Sequence, residues 1–571
     1  MHKFKFFSLF LLMMINNLVN AFVTVGVGPE CTYNNLFDAY QSNDLDIRVT
    51  SEQVHTNNFV IEKFKFFKGG YDNCLTAQAD IVGSQKSKWS GLNALNNTVI
   101  EINVDLVILA TVIIENFEIY DGNNTSASGA GGIKVSGNSN VIIRNSTIYN
   151  NNGNEGGGLH VFGEEAILSL ENTEVYDNEA SGYGGGIYCS NGAHLNIDAK
   201  STVNNNDATF NGGGLFGGNG CDITNFSGEV VDGRVYFGVA YNEANKGGGI
   251  YIQSGSEINI EGGDVAPAQI FANSAFENNE LGGGGLYVTG ENTSANLINT
   301  RIFGNGSDNH GAAMVVTDQA SLVMSQAITG CQYSGLEPCS QIKANNVQFI
   351  SAEGGAGYFS DGASVSISQT DINRNRSILV SGFVVNDSAS LRLEGNLIRN
   401  NTSISSQGTA AALFYIGNVI GQTSQVDFIY NTVVNNKPEH IFTVNNINGS
   451  QSLNVFNSII WDTGQIYNFN GPTLAQIDCS IVHESTSLSG NIGAILTNDP
   501  LFINAAMEDY RPSLASDAID FCNDTAFPAG FSDFNNVLRG FDMPSVNNAF
   551  GTFDAGAYEY VPAIIFRNGF E

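Results

Sequence analysis

The chain of 571 residues is short of positive charge: 23 Lys and Arg stand against 56 Asp and Glu, a formal net charge of −33. So acidic a chain has no electrostatic footing on phosphate backbones or anionic membrane surfaces, which excludes nucleic-acid partners. Beyond Phe6 to Ile15 no apolar run approaches the roughly 20 residues of a spanning helix. CxxC pairs, paired-His spacings, a GK[ST] phosphate loop, an EF-hand loop and GGxGxDxUx nonapeptides are all missing. No metal and no cofactor is therefore expected.

What the chain has in quantity is glycine, 65 residues of it, and the glycines recur in register. Clusters at Gly129, Gly156, Gly184, Gly212, Gly247 and Gly282 each lead into a short alternating apolar run, and weaker copies follow at Gly311, Gly355, Ser381 and Thr409. The first apolar residue after each falls at Ile133, Leu159, Ile187, Leu215, Ile250, Leu286, Met314, Tyr358, Phe383 and Leu413, in steps of 25 to 44 residues. Short strands at such a period, with no helical pattern, mark a chain that coils and stacks one turn on the next.

Within Gly184 to Asn206 three strands are read: Ile187 to Cys189, Ala193 to Ile197, and Ser201 to Val203. Leu195 and Ile197 should stack on their equivalents one turn away, with Asn196 facing solvent. The fold class is all-β, a single right-handed parallel β-helix with three short strands per rung, an N-terminal cap and a short C-terminal tail. Asn recurs just before the glycine clusters, as at Asn178, Asn206, Asn242, Asn273, Asn305, Asn375 and Asn401. Asn tolerates left-handed backbone angles and its amide can bond its own turn and the next, so these positions read as a structural ladder.

Met1 to Ala21 reads as a secretory signal, with Lys3 and Lys5 before the apolar run and Val19-Asn20-Ala21 as cleavage site. Eight cysteines follow, an even number that favours disulfides in an exported chain. Pairing neighbours in order gives Cys31 with Cys74, Cys189 with Cys221, Cys331 with Cys339, and Cys479 with Cys522. The divisions expected are the signal 1–21, a cap with first rungs 22–128, glycine-rich rungs 129–415, C-terminal rungs with a cap 416–560, and a tail 561–571.

The GGGL or GGGI plus Asn pattern over Gly129 to Leu413 resembles the GGA[IL]-type repeats of polymorphic outer-membrane proteins, which are right-handed parallel β-helix surface proteins of bacteria. Asn457 to Trp461, Asp499-Pro500-Leu501-Phe502, Asp509 to Pro512, Ser516 to Asp520 and Asp554 to Glu559 resemble the last rungs of β-helix proteins with variable carboxy-terminal anchors. The usual Asp-x-x-Gly-x-x-Arg turn is here Asp533 to Arg539, with Asn536 in the glycine place. The segment Val561 to Glu571 resembles a sorting tail of exported proteins. The resemblance implies a protein secreted from, or held on the outer surface of, a Gram-negative bacterium.

Parallel β-helices also host polysaccharide lyases and hydrolases, whose sites need clustered carboxylates, with a basic residue for calcium-assisted proton abstraction or in close pairs for hydrolysis. Basic residues are sparse along the coil, and its one adjacent acidic pair, Glu164-Glu165, sits at a turn. His160, His194, His310, His440 and His483 are isolated. His160 occupies the place of Tyr188, Phe216, Tyr251 and Tyr287 in other turns, an aromatic column that Phe359 extends. With Ile187, Leu215, Ile250 and Leu286 inside, alternation puts that column outside, as a strip for sugar rings or a partner protein. The function read is adhesin-like binding of a polysaccharide or cell-surface protein through the long face. Alternatives are a lyase or glycoside hydrolase with a site assembled across rungs, and a passive spacer. The longer steps, near Asp222 to Asn245, Gly262 to Glu280 and Thr329 to Ala352, read as protruding loops.

Overall fold

The structure is a computed structural model that describes residues 22–562, apart from 57, 105–109, 225–228, 232–233, 237, 264, 277–280, 328–337, 348–352, 405–410, 418–421, 446–450, 471–473, 489 and 524–531. The signal Met1 to Ala21, Cys331 and the tail from 563 onward lie outside the described residues. In one turn, Ile187–Ser190, His194–Ile197, Thr202–Asn204 and Asp207–Asn211 are strands. Each pairs in parallel with its equivalent one turn on, through Ile187↔Leu215, Leu195↔Ile223, Val203↔Val239 and Asp207↔Glu243. Repetition builds four parallel sheets of 14, 17, 16 and 10 strands, called I to IV here in the order just given. The result is a right-handed parallel β-helix.

Sheets I to III are the three strands expected of each rung. Sheet IV is an addition to that reading, lying between the ladder asparagine and the glycine cluster. Its inward positions are the small residues Ala180, Ala208 and Ala244, which form their own buried cluster. Alternation of alanine with polar residues leaves no apolar signal in the sequence. Inside, Ile187, Leu215 and Leu286 are 0% exposed and Ile250 1%, and one apolar column runs from Val23 to Val482.

The glycine triplets do two different jobs. Gly184 turns the corner at φ +66°, where a side chain is strained. A Cβ on Gly186 would lie 2.6 Å from the carbonyl oxygen of Gly214, so there the backbones of successive turns leave no room for one.

The asparagine ladder is continuous through Asn151, Asn178, Asn206, Asn242, Asn273, Asn305, Asn345, Asn375, Asn401 and Asn436. Each Nδ2 donates to the Oδ1 of the next at 2.8 to 3.1 Å. Each backbone N–H donates to the same oxygen. The left-handed angle belongs to the residue before: Asp177, Asn205, Tyr241, Ala272 and Arg374 all have φ between 52° and 56°. The two tasks assigned to one asparagine are thus divided between neighbours, and the ladder holds even Tyr241 and Ala272 in an unfavourable conformation. The ladder ends at Asp462, whose Oδ2 accepts the N–H and Nδ2 of Asn436 at 2.9 and 2.8 Å. An acceptor-only side chain suits the end of the ladder, where the following turn offers His483 and no asparagine.

Disulfides join Cys31 to Cys74, Cys189 to Cys221 and Cys479 to Cys522. Cys339 is also disulfide-bonded. The Cys189–Cys221 bridge ties one turn to the next inside the core, where both are 0% exposed. The first insertion carries an antiparallel hairpin, Glu229–Val231 with Arg234–Tyr236.

The last rungs end at Asn491–Ile492 and Ile495–Leu496. The described residues between Asp499 and Tyr560 then pack against the outer side of sheet III. Of the C-terminal motifs, Asn457 to Trp461 is a further rung, while those from Asp499 on are a cover laid over earlier turns. Gln369 Nε2 donates to the carbonyl of Asp533 at 2.6 Å, Ala557 N–H to Thr432 Oγ1 at 2.9 Å, and Gly556 N–H to the carbonyl of Asn457 at 2.8 Å. Among the described residues no helix is long and apolar enough to cross a membrane.

Candidate functional site

The aromatic column stands on the outer side of sheet I, in the register Tyr188↔Phe216↔Tyr251↔Tyr287. Neighbouring rings stack at 4.9, 5.4 and 4.9 Å with interplanar angles of 6°, 6° and 20°. Outward does not mean exposed, however: Phe216, Tyr251 and Tyr287 are 2%, 6% and 5% accessible. They share a cluster with Val315, packed by Tyr183, Tyr188, Leu281 and Tyr358. Because the inner rings turn their faces to one another, the column offers little ring face for a sugar to stack on. Phe359 is not its fifth member; it lies in the core, and Tyr358 holds the outward place opposite Val315.

His160 heads the column, edge-on to Tyr188 at 4.9 Å. Burial drives its pKa down to about 3, so the imidazole is neutral and acts as one more flat ring. Glu164 and Glu165 are an exposed corner. His194 Nδ1 lies 3.2 Å from Asp222 Oδ2 on the next turn. His310 accepts the N–H of Glu353 at 3.2 Å and packs on Tyr358. Burial pushes the Glu353 carboxyl up to about 7. Among the described residues no three His, Cys, Asp or Glu are grouped to hold a metal ion.

A concavity of about 750 Å³ lies elsewhere, between the flank of the last turns and the returning cover. The solenoid contributes Val434, Asn435, Trp461, Asp462 and Thr463; the cover contributes Asp499, Leu501, Phe502, Glu508 and Tyr510. Trp461 is half-buried here, while the other tryptophan, Trp89, is 0% exposed in the core. Phe502 and Tyr510 meet edge to face at 5.5 Å. Glu508 is held by Arg399, by Arg374 at 3.4 Å and by Asn400 Nδ2 at 3.1 Å. Arg399 in turn grips both oxygens of Asp371 at 3.0 and 2.9 Å. Burial raises the pKa of Asp462, against the hydrogen bonds from Asn436 and the Thr463 N–H.

Sequence reasoning recognised Trp461, Asp499 to Phe502 and Asp509 to Tyr510 as end motifs but not as one site. The signal that was there is rarity, since a second tryptophan near a chain end has no partner in the repeat. No protein-family model matches the chain, and no curated protein matches it. Of the resemblance to polymorphic outer-membrane proteins, the parallel β-helix is supported and membership of that family is not.

Proposed function

We propose that the protein is an exported, adhesin-like glycan-binding protein whose recognition site is the groove beside Trp461. The observation that carries this is the 750 Å³ concavity in which an indole, a phenyl ring and a phenol accompany an amide and three carboxylates. Glycan sites need that mixture of apolar ring surface and a few fixed polar groups, in a volume of about 300 to 1,000 Å³. The disulfides and the compact β-helix suit an extracellular setting. The acidic chain favours a neutral ligand.

Binding is preferred to hydrolysis because two of the carboxylates are already committed to the protein. Asp462 accepts N–H bonds on both oxygens, and Glu508 is neutralised by two arginines. A glycosidase needs one carboxyl free to give its proton and another free to attack or to activate water. The test is retention of the mature chain on neutral and acidic polysaccharides, with released reducing and unsaturated ends recorded together. Retention on a neutral glycan, weakened about tenfold by Trp461→Ala, is expected, which is about 1.4 kcal/mol. New chain ends would replace this reading with an enzyme, and no retention on any polymer would leave a spacer.

A further inference from the structure

The opposite end of sheet III carries a second concavity, of about 250 Å³, under the overhanging segment 82–86. Its floor includes Asn116, Asn145 and Asn172, stacked on successive turns, with Asn172 Nδ2 donating to Asn145 Oδ1 at 2.8 Å. Beside them runs the row Glu118↔Thr147↔Glu174↔Thr202, and beside that the row Tyr120↔Tyr149↔Tyr176. The tyrosine rings lie parallel, 5.2 Å apart at each step, with interplanar angles of 12° and 4°. Lys86 closes one side, partly buried and within electrostatic reach of Glu174 and Glu118.

We propose that this lattice is a separate glycan site that takes a neutral, linear β-1,4-linked pyranose chain lying parallel to the solenoid axis. Three features of the lattice select that ligand. Its pitch is one strand spacing, and a β-1,4-linked chain advances by nearly the same step per sugar. Each sugar in such a chain is turned over relative to the last, so the same hydroxyl edge returns at every second unit. The accessible row Glu118, Thr147, Glu174 alternates carboxylate and hydroxyl with that same period of two, before it closes on the buried Thr202. Chains linked α-1,4 or β-1,3 coil, and lose register with a straight lattice after a few units. Polyanionic chains are repelled by Glu118 and Glu174, against which Lys86 supplies one positive charge in the concavity.

This inference rests on the glycan-binding reading for the class of ligand but not for the place, so the test uses the full mature chain carrying Trp461→Ala. Cellohexaose, maltohexaose and laminarihexaose are titrated into it by calorimetry. Cellohexaose is expected to bind at least tenfold more tightly than the other two. Thr147→Val and Tyr149→Phe, each removing one hydroxyl while keeping strand and stack, are expected to weaken it about fivefold each with unchanged thermal unfolding. Binding of cellohexaose by the native chain but not by Trp461→Ala overturns the lattice site and leaves the groove. Equal binding of all three hexaoses, or indifference to both hydroxyl deletions, overturns it as well. Absence of binding in both proteins overturns it outright, while retention on another polysaccharide would still support the groove.

Discussion

Sheet III has the same outward positions at both ends and covers them in different ways. Near the N-terminus they hold Glu118, Thr147 and Glu174 in one row and Tyr120, Tyr149 and Tyr176 in the next. Near the C-terminus the corresponding rows read Leu397, Thr432, Ile459 and Arg399, Val434, Trp461. Identical flat rings in register cover one another, so the first end is left open without exposing much apolar area. Branched aliphatic side chains cannot do this at an outward position. There the chain lays its own residues over them, and Leu397, Val434, Ile459 and Ile481 are buried against Tyr510, Phe521, Phe534 and Ala557. Outward rows of a solenoid are thus either self-covering or in need of a cover, and the choice is made residue by residue.

Breaking the cover at its charged centre should have the largest effect. The Arg539 and Glu559 side chains are both 0% exposed and face each other across 3.9 Å. Arg539 also donates to the carbonyls of Gly556 and Ala557 at 3.0 Å and lies 4.1 Å over the ring of Tyr430. The carboxylates of Asp533 and Asp554 are buried nearby and accept backbone N–H groups. Arg539→Met keeps the volume but strips the positive charge, a change that costs about 3 to 5 kcal/mol at a buried pair. Protease cleavage within 499–560 and dye binding to the uncovered flank are expected, with the N-terminal turns intact. An unaltered digestion pattern would show that the cover is held by apolar contact alone.

The same cluster makes the comparison depend on pH. Burial raises the carboxyls of both Asp554 and Glu559 above their ordinary values of 3.8 and 4.5; Glu559 adds to the rise at Asp554, and Arg539 opposes both. The folded cover therefore holds protons that the detached chain has already released. Its stability is greatest in acid and falls as pH climbs from the ordinary carboxylate range through neutrality. Hydrogen exchange corrected for intrinsic rate should show the cover better protected at pH 5 than at pH 8. The reverse order would mean that Arg539 outweighs burial.

At the open end, Tyr149→Ala removes two ring contacts and leaves Tyr120 and Tyr176 each with a bare face. Two stacked pairs are together worth about 1 to 3 kcal/mol beyond their area. A lowered thermal midpoint without protease sensitivity in 499–560 is expected. Loss of the cover in this variant would mean that the two ends are not independent, against the neighbour-only coupling of a solenoid.

These contrasts explain which parts of the molecule could be read from the chain. The glycine clusters gave away sheet I because an apolar run follows each, whereas Ala208 and its equivalents gave no sign of sheet IV. The outward direction of Tyr188, Phe216, Tyr251 and Tyr287 follows from alternation alone. Their burial depends on identical rings stacking one turn away and on Tyr183 beside them, which alternation does not encode. The groove at Trp461 was out of reach for a different reason. It is closed by residues such as Glu508, which returns to Arg399, 109 positions earlier, and nothing periodic marks that return.

The smallest expected effect sharpens the account of how the cover is shaped. Asn536 stands in a left-handed conformation at φ +62°, which glycine adopts without strain. Asp533 Oδ1 caps that turn by accepting the N–H groups of Asn535 and Val537 at 2.9 and 2.7 Å. The asparagine keeps the conformation because its Oδ1 accepts Gln369 Nε2 at 3.0 Å, a bond to the solenoid that glycine cannot make. Asn536→Gly removes the strain and that bond together and frees the unfolded chain, so a net change within about 1 kcal/mol is expected. Asn536→Ala loses the bond and keeps the strain, and should cost about 1 to 2 kcal/mol. If the two variants detach the cover equally in denaturant, backbone angle is irrelevant at this turn and the Gln369 contact alone positions it.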